Sequence, residues 1–273
     1  MKISRIIVKD FRSKNNNIDW KLNNDVNILA GNNGCGKSQL LGLIKIALSV
    51  EFEDISRIKF NDVFFVKPVK FNQLLSVCNG ITIEFENGNK VIITYSDIQD
   101  KWVRHLYGFK EQDLNNLVNV CTTDVSEMYD NHEHFDSVKE LFNNPQSLID
   151  TINLFLCSSG DSGVTFEYNE LISFKDNKTN KRIPYQFLST GQKNIVDMMT
   201  RIYVAKLNNP NNILLIDEPI NGLHVEWQKM LIDGFCKISP DSQFVITTHC
   251  PALIMNGWRK HVFNMHNILT LDM

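Results

Sequence analysis

The alternation of apolar and polar positions divides the chain into strand-like and helix-like stretches. Ile3 to Val8 reads as a strand, and Val26 to Ala30 as a second, buried strand that runs straight into a glycine-rich turn. Ser38 to Leu48 follows as a mostly apolar helix. Ile81 to Phe85 and Val91 to Tyr95 flank Asn87-Gly88-Asn89, residues that tolerate the positive φ of a hairpin turn, so an antiparallel sheet is expected beside the parallel one. From about Asp97 to Gly160 the pattern turns helical and polar, with apolar residues three or four apart at Ser137 to Phe142 and Gln146 to Leu156. This region, 97–160, is expected to be a helical insertion within a single domain spanning 1–273. Strand-like pieces return at Val164 to Tyr168 and Leu171 to Phe174, before a polar turn at Asp176 to Lys181. Ile213 to Ile216 and Phe244 to Thr247 are short apolar runs that end in polar residues, as parallel strands do when their C-terminal ends form a site. The prediction is an α/β fold with a mixed parallel and antiparallel sheet.

Composition narrows this only slightly. With 273 residues, 43% hydrophobic and 22% charged, the chain is globular in character. A net charge of -3 argues against a surface coated in positive charge, although Lys2, Arg5, Lys9, Arg12, Lys14 and Lys21 make the first strand region basic. Either a solvated strand face or a local contact surface accounts for them. The six cysteines are scattered without zinc or redox spacing, which suits reduced thiols in a cytoplasmic protein. No apolar run approaches the ~20 residues of a membrane span, and no basic stretch precedes an apolar leader. His132-Glu133-His134 lacks an evident third ligand and reads as a solvated loop.

The chemistry lies in three segments. Gly31-Asn32-Asn33-Gly34-Cys35-Gly36-Lys37-Ser38, followed by Gln39, fits the Walker A pattern between an apolar strand and a helix. Glycines let backbone N–H groups point inward at phosphates, and the helix N-terminus adds a favourable dipole. Lys37 is expected to reach the β- and γ-phosphates of ATP, and Ser38 to ligate Mg2+. A chance match of this kind arises roughly once in a hundred chains of this length. In Ile213-Leu214-Leu215-Ile216-Asp217-Glu218-Pro219, two carboxylates close a buried strand, where a solvated loop is a poor explanation. Asp217 is expected to hold Mg2+ through water, and Glu218 to orient the attacking water. Thr247-Thr248-His249 ends another strand, and His249 is the candidate γ-phosphate sensor.

Between the first two segments, Leu188-Ser189-Thr190-Gly191-Gln192-Lys193 resembles the ABC signature, with Thr190 where a second glycine is usual. The order of Walker A, signature, Walker B and His249 resembles an ABC-type P-loop head over essentially the whole chain. That resemblance implies that Ser189, Thr190, Gly191 and Gln192 contact ATP bound by a second copy. Val8-Lys9-Asp10-Phe11-Arg12-Ser13 resembles the opening of RecF-like and SMC-like ATPases, which implies that Arg12 approaches the phosphates. Glu218-Pro219-Ile220-Asn221-Gly222-Leu223-His224 resembles a segment of prokaryotic OLD-like ATPases. Transporter ATPases usually carry Asp in place of His224.

Together these imply an ATPase that dimerises around Mg-ATP and works with a separately encoded effector, a nuclease or toxin, in bacterial defence or DNA maintenance. DNA is an open candidate partner, and direct membrane insertion is not expected. The alternatives are an ATP-locked scaffold with little turnover and the ATPase subunit of a membrane transporter. Residues 97–160 are too short and too irregular for the long coiled coil of many relatives. Gln99 and Gln112 are weak candidates for the glutamine that usually bridges Mg2+ and the helical lobe.

Overall fold

The computed structural model describes residues 1–49, 77–99, 101–114, 117, 145–158, 163–169 and 171–271. The segments Ser137 to Phe142 and His132-Glu133-His134, like Cys121, lie outside them.

Four strands, β3 (Val26–Ala30), β10 (Ile213–Asp217), β11 (Gln243–Thr248) and β12 (Val262–Asn264), make a parallel sheet in the order β10-β11-β3-β12. β10, β11 and β3 are largely apolar because both faces of the sheet are covered. Val26, Ile28, Leu214, Ile216, Phe244 and Ile246 enter one core, whereas Leu29, Ile213, Leu215 and Val245 enter the other. Helix α1 (Lys37–Leu48) belongs to the second core and packs between this sheet and a six-stranded antiparallel one. That second sheet has the order β13-β2-β1-β4-β5-β6, formed by β13 (Leu269–Leu271), β2 (Asn16–Lys21), β1 (Ile3–Lys9), β4 (Gly80–Phe85), β5 (Lys90–Ser96) and β6 (Lys101–Tyr107). Buried Gln243 ties the sheets together: its amide nitrogen donates to the Ile3 and Asn23 carbonyls, and its oxygen accepts the Ile3 N–H.

The β4–β5 hairpin turns at Gly88 with φ 85, as its Asn-Gly sequence predicts. The expectation of helix from Asp97 onward needs correction at β6, which pairs with β5 from Lys90↔Tyr107 to Ser96↔Lys101. Arg104 conceals the strand pattern. It falls in step with Trp102 and Leu106, which pack on the core, and its side chain is only 3% exposed. From there it donates to the carbonyls of Ala47 and Ser49 at the end of α1 and pairs with Glu111 of the short helix α2 (Glu111–Leu114).

The other core is built on α3 (Gln146–Ser158), α4 (Thr190–Asn208) and α5 (Val225–Ile238). Leu148, Ile152, Phe155 and Leu156 supply the buried stripe that the three-to-four spacing in α3 predicts. A small antiparallel sheet of β7 (Val164–Asn169), β8 (Leu171–Asp176) and β9 (Arg182–Ile183) joins α3 through Asn153. The Asn153 amide donates to the Phe166 carbonyl at 2.9 Å and accepts its N–H at 2.8 Å. Among the described residues, no helix is long and apolar enough to cross a membrane.

Candidate functional site

In register, Asp217 stands opposite Thr247, and Thr248 opposite Ala30, so β3, β10 and β11 end together. Side chains beyond those ends converge on one pocket, the arrangement expected at the carboxyl edge of an open parallel sheet. Its volume is about 510 Å³, and it is lined by Arg12, Asn33, Gly34, Gly36, Lys37, Ser38, Gln39, Asp217, Glu218, Asn221 and His249.

The phosphate loop leaves β3 at Ala30 and enters α1 at Lys37 through Gly36, whose φ of 102 is left-handed. A Cβ on Gly36 would lie 2.8 Å from the ring of buried Phe11, so glycine is required there both for conformation and for space. The Lys37 ammonium donates to the carbonyls of Gly31 at 2.9 Å and Asn32 at 3.2 Å, which folds it back over its own loop. It also lies 3.6 Å from Glu218 Oε1. Arg12 Nη1 donates to the Gly34 carbonyl from the opposite rim.

The turn that presents Arg12 is built from left-handed non-glycine residues, with φ 52 at Asp10, 64 at Arg12 and 64 at Asn15. The Asp10 carboxylate accepts the Asn15 N–H at 2.5 Å and the Asn79 amide at 2.7 Å. Those two bonds, the Asn15 one foremost, hold its carboxyl below the usual carboxylate range.

Asp217 is 4% exposed, and its Oδ1 accepts two hydroxyl protons, from Ser38 at 3.0 Å and from Thr247. Glu218 leaves the strand at φ 48, a left-handed conformation that costs a bulky residue on the order of 1–3 kcal/mol. Its N–H still reaches the Thr247 carbonyl at 3.1 Å, while its Oε2 accepts the His249 N–H at 3.2 Å and lies 2.8 Å from His249 Nδ1.

The donor set suits Mg2+. A hydroxyl and a buried carboxylate stand side by side, and Mg2+ typically takes only one or two protein oxygens and completes its octahedron with water and phosphate. Among the described residues no cluster of three or more His, Cys, Asp or Glu could hold a metal alone.

Ser189 caps α4 in a reciprocal capping box, accepting the Gln192 N–H at 3.3 Å while the Gln192 side chain accepts the Ser189 N–H at 2.8 Å. A Cβ on Gly191 would lie 2.7 Å from the Gly222 carbonyl, so the helix start sits directly on the loop that follows Glu218. Ser189, Thr190, Gly191 and Gln192 are all absent from the pocket lining, as are Asn32 and Cys35 of the phosphate loop. Asn32 nevertheless contributes its carbonyl to Lys37. Neither Gln99, in a turn after β5, nor Gln112, in α2, lines the pocket. Sequence reasoning gave no role to Asn221, which lines it, or to the Thr247 hydroxyl on Asp217. Neither role is marked along the chain: the first depends on the path of the loop after Glu218, and the second on register opposite Asp217.

Fold and site together define a P-loop ATPase head. The AAA ATPase domain family matches residues 1–152 and 124–254, and this chain belongs to that family. A search of curated protein sequences finds no match. Among solved structures, the SMC head domain from Thermotoga maritima is 16% identical, with a TM-score of 0.58 over 94% of this chain and 92% of that one. An SMC head bound to the C-winged helix domain of ScpA is 15% identical, with a TM-score of 0.58 over 94% and 92%. A head with an extended coiled coil, bound to the C-terminal domain of ScpA from Pyrococcus furiosus, is 14% identical with a TM-score of 0.51 over 93% and 91%. At these identities the likeness establishes the fold.

Proposed function

We propose that this protein binds Mg-ATP and hydrolyses it to ADP and phosphate. The observation that carries the reading is the convergence of the Ser38–Asp217 and Glu218–His249 pairs on the pocket that holds Lys37. Nucleotide phosphates displace the Lys37 ammonium from its loop carbonyls, and the loop N–H groups and Lys37 take up their charge. Asn32, Asn33, Gly34, Cys35, Gly36 and Gln39 form the rest of this cradle, with Arg12 at its rim. Ser38 and Asp217 would hold Mg2+, which, when bound, would supply positive charge against the phosphates. Glu218 accepts a hydrogen bond from the attacking water and aims it, while His249 fixes the Glu218 carboxylate from the other side. Loss of hydrolysis in Glu218→Gln with ATP binding retained is expected; undiminished hydrolysis would overturn these assignments.

Two copies close around two ATP molecules, each pocket completed by Ser189, Thr190, Gly191 and Gln192 of the opposite copy. Support comes from the signature resemblance and from the position of α4, whose N-terminus carries backbone donors suited to phosphate yet stands outside its own pocket. Sedimentation of Glu218→Gln tests this. An ATP-dependent dimer is expected, and persistent monomer at saturating Mg-ATP would count against it.

From the resemblance to RecF-like, SMC-like and OLD-like ATPases we infer that this switch works in bacterial defence or DNA maintenance, with a separately encoded nuclease or toxin as effector. Two SMC heads of the same fold are seen bound to the C-winged helix domain or the C-terminal domain of ScpA, which supports a head acting through a partner. Co-purification with the product of the adjacent gene is the test. Full activity without any partner would weaken the reading.

A further inference from the structure

The loop after Glu218 and the loop that carries His249 are joined by one side chain. Gln228, in the first turns of α5, donates through Nε2 to the Leu223 carbonyl at 2.8 Å and accepts the Cys250 thiol at Oε1, 3.2 Å away. The carbonyl can only accept, so the amide nitrogen must face Leu223, which leaves the oxygen for the thiol. Cys250 directly follows His249, which meets Glu218 through both its backbone N–H and Nδ1. The contacts therefore close on themselves: from the Glu218 carboxylate to His249, to Cys250, to Gln228, to Leu223, and back along the chain to Glu218. A second amide braces the same loop, because Asn194 of α4 donates to the Asn221 carbonyl at 2.7 Å.

We propose that Gln228 is a positioning residue for hydrolysis, one that holds the Glu218 and His249 loops in register through its bonds to Leu223 and Cys250. This rests on the reading of Glu218 as the residue that aims the attacking water. Among neutral side chains of this length, an amide alone offers a donor and an acceptor in one plane, as the two loops demand. Glu218 is held at a left-handed φ, so its direction depends on neighbours rather than on its own backbone preference. His249 is 47% exposed and lacks burial to fix it, so the ring through Cys250 supplies the restraint.

The test is Gln228→Met, which keeps length and volume but loses both bonds. We expect kcat to fall on the order of ten- to a hundredfold, as for small misplacements of catalytic groups, with ATP affinity within about twofold of wild type because the phosphate loop is untouched. Gln228→Glu keeps an acceptor for Cys250 but sets a carboxylate against the Leu223 carbonyl, and it should fall similarly. Cys250→Ser, which keeps a donor, should lose less than Cys250→Ala. Nitrogen NMR of 15N-histidine-labelled protein provides a readout independent of turnover. In its neutral form His249, assigned by its loss in His249→Asn, should carry its proton on Nδ1 in wild type and move toward mixed tautomers in Gln228→Met. An unchanged His249 tautomer in that variant, or losses of kcat and ATP affinity in equal measure, would overturn the proposal. If wild type fails to hydrolyse ATP, the hydrolysis reading falls, and the histidine spectrum alone decides whether Gln228 orients His249.

Discussion

Ser38 Oγ stands 3.0 Å from Asp217 Oδ1, joining the first turn of α1 to the last residue of β10 across 179 positions of sequence. The hydroxyl stands beside the carboxylate that would share its cation, so the pair would need little rearrangement to hold Mg2+. Ser38→Ala should therefore weaken ATP about tenfold or more in the presence of Mg2+, the scale of a lost contact to a charged centre. It should change little in EDTA. Titration with a fluorescent ATP analogue under both conditions checks this, and equal weakening in both would mean that Ser38 acts on the loop rather than on the metal.

Gly191→Ala sets two effects against each other. Alanine favours a helix over glycine by about 1 kcal/mol. The new methyl, however, would lie 2.7 Å from the Gly222 carbonyl, a backbone atom that cannot swing aside. Overpacking of this kind costs about 1–3 kcal/mol, so the clash should prevail. A fall of a few degrees in Tm is expected by calorimetry. A rise would show that α4 can withdraw from the loop after Glu218 without loss.

The phosphate loop, paired carboxylates and His249 were legible because each follows a run of buried apolar residues, and strand ends in a parallel sheet necessarily share one edge. Three features escaped for physical reasons. β6 carries a charged residue, Arg104, at an inward position, which breaks the alternation that marks a strand. β2 begins with two asparagines and carries Asp19, paired with Arg5 at 2.5 Å across the strands, so its polar outer face outweighs buried Ile18 and Trp20. The roles of Thr247 and Asn221 depend on register and loop path, which a linear pattern does not contain.

Arg104 should be more important to stability than an edge-strand charge usually is. Its guanidinium takes the carbonyls of Ala47 and Ser49 at the end of α1, where a cation also complements the helix dipole. Removing it leaves those acceptors and Glu111 without their donor, a change worth about 3–5 kcal/mol when a buried pair is broken. Half-exposed Glu111 can rehydrate, so the lower end of that range is expected for Arg104→Met. Urea unfolding should show a lower midpoint at unchanged m-value. A variant as stable as wild type would mean that water replaces the guanidinium at no cost.

The turn that aims Arg12 should respond to acid through Asp10. Hydrogen bonds from Asn15 and Asn79 favour its charged form, so its pKa in the folded protein lies below the ordinary value. A carboxyl depressed in this way contributes stability that is fully present above its unfolded pKa and is lost as pH falls through the folded one. The window therefore opens near pH 4 and extends below it, and at neutral pH the contribution is complete. Asp10→Asn removes the charge at every pH. It retains one acceptor oxygen, which can serve Asn15 or Asn79 but not both as the carboxylate does. Because Asp10, Arg12 and Asn15 all sit at positive φ, loss of one anchor should loosen the whole turn and withdraw Arg12 from the Gly34 carbonyl. The expected result at pH 7 is weaker ATP binding in Asp10→Asn, in the same direction as Arg12→Ala and not additive with it. Fluorescent-analogue titrations of the two single variants and the double variant measure that coupling directly. Additive losses would mean that Asp10 acts on the nucleotide by a route other than Arg12.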